Sequence, residues 1–174
     1  MSPTISPQEA ACADGSFWAF SVSLYGRPGV ADECLSLQDR FGVNINVLLF
    51  SLYAASEFGA VLSRSDVAAA DGAVVHWQTQ VVETLRNVRR TLKRSDLRCE
   101  LLRKQVADSE LEAERIEATA LMEWCKPRIA VWPRGERDAA IAHNCRSALS
   151  YYGAGPQIEL QQRLISLAFA AVKP

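Results

Sequence analysis

Residues 73–94 read AVVHWQTQVVETLRNVRRTLKR. Val74, Trp77, Val81, Leu85, Val88 and Leu92 step through this stretch by threes and fours, the spacing of one helical face. The next segment, Leu97 to Cys125, is dense in Leu, Glu, Arg and Ala, which favour helix. It predicts one long helix, or two joined near Ser109. A chain that restarts or bends at Ser95-Asp96 turns these two amphiphiles into a long charged hairpin. Nowhere do Val, Ile and Thr alternate over the length of a strand. The fold class that follows is all-α.

Working back toward the N-terminus, Asn44 is placed to cap a helix over Ile45 to Phe58, whose centre, VLLFSLYAA, is apolar on most faces. This is the expected central core helix. Gly42 ends a preceding helix, Val30 to Phe41, in which Val30, Cys34, Leu37 and Phe41 share a face and Asp32 and Glu33 suit the N-terminal dipole. A first helix starts near Asp14 or Ser16, carries Phe17, Trp18, Phe20, Val22, Leu24 and Tyr25, and stops at Gly26-Arg27-Pro28-Gly29. Ser63 to Gly72 predicts a short separate helix capped by Ser65-Asp66. Beyond Pro127 and the WPRG turn at 132–135, two closing helices are expected over 137–152 and 157–172, parted by Gly153-Ala154-Gly155-Pro156.

The expectation is therefore one all-α domain of six to eight helices. A flexible tail covers 1–13, and the domain covers 14–174: core helices in 14–62, long amphipathic helices in 63–126, and a C-terminal helical pair in 127–174. A length of 174 residues suits one domain. Hydrophobic residues at 49% and charged residues at 22% exclude a disordered chain. A formal charge of −1 argues against a generally cationic nucleic-acid or membrane binder, though not against a local patch. The opening MSPTISPQEA has no basic cluster and no apolar stretch, so no secretory leader is expected. Five scattered cysteines without a C-x-x-C pair fit reduced thiols in a cytoplasmic protein.

The stretch SFWAFSVSLYGRPGVADECLSLQDRFGVNINVLLFSLYAA, residues 16–55, resembles the N-terminal signature of a family of uncharacterised proteobacterial proteins of about this length, found in Pseudomonas and its relatives. The resemblance rests on F-W-x-F-S (Phe17, Trp18, Phe20, Ser21), then Tyr25, Pro28-Gly29-Val30, C-L-x-L-Q-D-R-x-G (Cys34 to Gly42) and N-x-L-L-F (Asn46 to Phe50). Weaker likeness continues through 77–93 and 110–115. The family pattern usually has Asp where this chain has Asn44. The resemblance implies no activity, because none is assigned to the family.

Four groups of residues are candidates for chemistry. Gln38, Asp39, Arg40, Asn44 and Asn46 crowd polar groups between two apolar helices. They either cap helix ends or, with Trp18 and Tyr25, line a small polar pocket. Between 86 and 104 stand eight basic residues and two acidic ones, and between 105 and 124 six acidic and one basic. Blocks of opposite sign can pair within the fold, between antiparallel helices or between protomers, and such complementarity sets partner choice. Glu110 and Glu114, four apart, can share a cation or a proton, but no E-x-x-H accompanies them and no metal or cofactor is expected. His143 and Cys145 are two apart and do not face each other on a helix. No P-loop, G-x-S-x-G or G-x-G-x-x-G is present.

The leading expectation is a non-enzymatic cytoplasmic adaptor, or a homo-oligomer, that recognises a protein partner through Arg86, Arg89, Arg90, Lys93, Arg94, Glu110 and Glu114 on helices standing outside the core. The first alternative is a small-molecule binder or all-α enzyme with a site built from Trp18, Tyr25, Gln38, Asp39, Arg40 and Asn46. The second is RNA or DNA binding through the 86–104 arginine stripe.

Overall fold

The computed structural model describes residues 17–93, 97–155 and 162–166. The expected tail, the Asp14 or Ser16 cap, Arg94, the Ser95-Asp96 joint and most of the 157–172 helix lie outside them. Within the described residues the chain is all-α. Residues 17–25 form α1. Then come α2 (Val30–Phe41), α3 (Ile45–Phe58), α4 (Arg64–Trp77), a π-helical turn (Gln78–Val82), α5 (Glu83–Lys93), a 3₁₀ turn (Leu97–Cys99), α6 (Glu100–Cys125) and α7 (Arg137–Tyr151). Residues 162–166 are helical as well.

The centre is α3, buried from Asn46 to Ser56 and packed against α7 and α6. Its composition explains the position, since a helix apolar on every side cannot face water. Phe50 meets Phe17, Trp124 and Trp132 ring to ring, tying α1, α6 and the 132–135 turn to one core. Both ends of the α2–α3 turn follow the sequence expectation. Gly42 ends α2 at φ +65, and its N–H donates to Gln38 O. Asn44 Oδ1 caps α3 by accepting from Asn46 N and Val47 N. Asn144, fully buried on α7, accepts from Leu62 N and donates to Ser51 O and Ala60 O. It satisfies backbone groups that the chain leaves open as it exits α3.

Two expectations for the middle of the chain are corrected. No break separates 63–72 from the long helix. Ser63, not Ser65, is the N-cap, in a capping box with Asp66, and the helix runs through exposed Gly72. One glycine costs a helix interior only about 1 kcal/mol, and flanking alanines favour continuation. The buried stripe is also not the expected one. It runs Val74, Gln78, Val82, Arg86, while Val88 is exposed. A π turn inserts one extra residue into the helix, so the seam that starts at Val74 leaves the Trp77–Val81–Leu85–Val88 register. Gln78 and Arg86 rotate inward as a result.

Leu97 to Cys125 forms a single helix after its 3₁₀ turn, without a joint at Ser109. It packs along α5 and α4. No helix among the described residues is long and apolar enough to cross a membrane.

Candidate functional site

The hairpin does not stand clear of the core along its whole length. Where α5 and α6 pass α1 and the α2–α3 turn, they enclose a cleft of about 450 Å³, within the range of small-molecule sites. α1 contributes Trp18, Ser21, Val22 and Tyr25, whose spacing is that of one helical face. Leu35 and Gln38 come from α2, and Asn44, Ile45, Asn46 and Leu49 from the start of α3. The opposite wall is Gln78 of the π turn, Arg86 and Arg89 of α5, and Glu110, Leu111, Glu114 and Glu117 of α6. Val22, Tyr25, Leu35 and Leu111 are exposed at the rim, whereas Ser21, Asn44, Asn46, Leu49, Gln78 and Glu117 are buried.

Two groups of polar side chains organise the far wall. In the first, Arg86 donates from Nε to Glu110 Oε1 at 3.0 Å and from Nη2 to Glu114 Oε1 at 2.8 Å. Arg89 grips both oxygens of Glu110. Charge-assisted, two-pronged contacts of this kind are strong and fix side-chain orientation. In the second, Glu117 takes one bond on each carboxylate oxygen: Asn44 Nδ2 at 2.6 Å and Asn46 Nδ2 at 2.8 Å. Asn46 Nδ2 also donates to Glu114 O. Trp77 Nε1 donates to Ala113 O at 2.9 Å and so pins the π turn to α6.

Burial dominates the protonation of these groups. It pushes Glu117 up to about 7, against the two asparagine hydrogen bonds that favour the charged form, with Glu114 and Asp71 adding to the rise. Burial also raises Glu114, opposed chiefly by Arg86. Tyr25 is raised by burial and by the nearby Cys34 and Glu114. A carboxyl group that titrates near neutral pH can hold or release a proton inside the cleft.

Ser21 Oγ and Gln78 Oε1 are buried without a hydrogen-bond partner among the described residues. Both residues belong to the cleft's lining, but these two atoms are themselves closed to solvent. A buried polar atom left unpaired costs on the order of 1–3 kcal/mol.

Of the residues expected at a pocket, Trp18, Tyr25, Gln38 and Asn46 come together here. Asp39 and Arg40 do not line it. Asp39 is exposed and pairs with Arg90 Nη2 at 2.6 Å, and the Arg40 guanidinium lies over the Phe41 ring. Asp39 thus faces α5 rather than the cleft, and Arg40 is exposed. The partner-recognition set divides as well. Arg90 and Lys93 are exposed, but Arg86 and Glu110 are 7% and 6% exposed. The expectation that they stand outside the core is corrected: their charges neutralise each other in the α5–α6 seam. Arg89 is half-buried against the same Glu110.

Gln78, Glu117 and Ser21 were not singled out from the sequence. Glu117 carried a usable signal, because it lies four residues before Leu121 and eight before Cys125, on the stripe that α6 buries. Gln78 carried none, since its inward position depends on the π turn.

No curated protein and no solved structure matches the chain. A family model does, over residues 16–121. That span holds every residue lining the cleft and stops before α7. By this match the chain belongs to the family described as proteins of unknown function, DUF2390.

Proposed function

We propose that the protein binds a small molecule in the cleft between α1, α2, the start of α3, and the α5–α6 hairpin. One observation carries this reading: a cleft of about 450 Å³ is walled by Trp18, Ile45 and Leu49 and by Glu117, a buried carboxylate whose partners are the neutral amides of Asn44 and Asn46. Helix capping accounts for Asn44, but it does not account for Glu117. A ligand that enters the cleft covers the apolar faces of Trp18, Ile45 and Leu49. Glu117 gives the same pocket a titratable group, as an all-α enzyme would need. The described cysteines Cys34, Cys99, Cys125 and Cys145 are unpaired, which supports a reducing, cytoplasmic setting.

The test is a fragment screen by ligand-observed NMR on the wild-type chain and on Leu49→Trp, which fills the cavity. Fragments that bind the first and not the second support the reading. A screen whose hits are indifferent to Leu49→Trp contradicts it.

An adaptor role is the second reading, moved to a different part of the hairpin. Leu101 and Leu102 are 71% and 50% exposed at the start of α6. Arg90 and Lys93 are exposed on α5, and exposed apolar and basic side chains are of the kind that dock proteins. Sedimentation of the wild type against Leu101→Ser/Leu102→Ser tests whether a second copy is the partner. Self-association lost in the double variant supports that, and a monomer at all concentrations contradicts it. Nucleic-acid binding has less support, because Arg86, Arg89 and Arg90 already meet carboxylates.

A further inference from the structure

The charges around the cleft do not balance. Arg86 and Arg89 are met by Glu110 and Glu114. Glu117 is then left over. Its partners are the side-chain amides of Asn44 and Asn46, which are neutral. Among the described residues no Lys, Arg or His pairs with it. A buried carboxylate without a counter-ion is costly and either takes a proton or waits for a cation.

The cleft wall also includes Trp18, whose ring face attracts cations. A buried carboxylate without a counter-ion and an aromatic wall together select one ligand chemistry.

We infer that the cleft takes an organic cation, a protonated amine on an apolar or aromatic body, with its ammonium group against Glu117 and its body between Trp18 and Leu49. This rests on the small-molecule reading above and names the class of ligand for that site. The ammonium N–H groups bond the Glu117 carboxylate, and the body covers the apolar wall. The charged groups facing Glu117 are Glu114 on its own helix and Asp71 on α4. Asp71 is itself held by the Tyr151 and Tyr152 hydroxyls. Neither neighbour supplies Glu117 with a positive charge. Binding requires Glu117 ionised, so the amine displaces a proton and binds more weakly in acid.

The experiment is calorimetric titration of the full-length chain with matched probes: tryptamine, tryptophol and indole-3-acetate, then n-heptylamine, n-heptanol and heptanoate. Wild type and Glu117→Gln are measured at pH 6 and pH 8. The expected result is amines at least about tenfold tighter than their alcohols and carboxylates at pH 8. That preference shrinks about tenfold at pH 6, as protonation of a group near neutrality dictates. Glu117→Gln loses the preference while still binding the alcohols, which shows that its cleft is intact. Carboxylates binding tighter than amines, or all three heads binding alike, overturns the cation and leaves the cleft standing. Binding by none of the six probes to the wild type overturns both.

Discussion

Asn46 Nδ2 stands 2.8 Å from Glu117 Oε2, a hydrogen bond between residues 71 apart in the chain. Together with Asn44 it suspends a buried carboxylate between the start of α3 and the middle of α6 without supplying a positive charge. The predicted stability of the protein and the binding proposed for its cleft both turn on this arrangement.

Stability should decline as the solution turns alkaline. Glu117 is raised from 4.5 to about 7 in the folded chain, so the folded state holds its proton more tightly than the unfolded state. The stabilisation is fully present below pH 4.5 and is lost as pH rises through about 7. A rise of this size corresponds to about 3 kcal/mol. Glu114 is raised as well and acts in the same direction. Urea unfolding at steps from pH 5 to pH 8 will show the decline, and Glu117→Gln will flatten it. A wild-type curve that is level or rising over that range contradicts the account.

Asn44 has two jobs, so its replacements separate them. Asn44→Asp keeps an oxygen for the α3 cap but cannot donate to Glu117 once both are ionised. It should cost about 2 kcal/mol or more at pH 8, with the gap narrowing at pH 5 as a carboxyl is protonated. Asn44→Ala loses the cap too, which is worth about 1 kcal/mol, and that extra loss does not vary with pH. Denaturation midpoints for the three chains at the two pH values check this.

The two arginine environments on α5 should differ sharply. Arg86→Met leaves Glu110 and Glu114 short of a buried partner, which costs about 3–5 kcal/mol. Arg90→Met breaks only the exposed pair with Asp39 and should cost within about 1 kcal/mol. Equal losses from the two substitutions would mean that the Arg86 network is not buried in solution.

Asn144→Ala strands the Leu62 N–H and the Ala60 carbonyl at the exit of α3. Two buried backbone groups without partners predict about 2–4 kcal/mol of lost stability, read by thermal or urea unfolding. The cleft lies elsewhere, so probe binding by the folded fraction should be unchanged.

The sequence made the all-α class legible, along with α2 and α3 to the residue, because each boundary there is set locally. Gly42 supplies the positive φ and Asn44 supplies the cap, and neither needs information from the rest of the chain. Half the cleft was legible for a related reason. Trp18, Tyr25, Gln38 and Asn46 lie on helices whose registers are regular. The other half depends on distant parts of the chain. The π turn at Gln78–Val82 has no composition signal in the run QTQVV, yet it decides that Gln78 and Arg86 turn inward. Glu117 looked like one more acid in an acidic run. It lies on the stripe that α6 buries, and what the sequence hid is its pair of asparagine partners at the start of α3. The hairpin charges were visible in the sequence. That some of them cancel inside the protein follows from how closely α6 packs against α5.

The ionisation of Glu117 is the most direct measure of the central claim. Its carboxyl carbon can be followed by NMR titration in the free protein and with saturating tryptamine. A midpoint near 7 is expected in the free chain, moving well downward when the amine binds. A midpoint at the ordinary value of 4.5, unmoved by the amine, would contradict it.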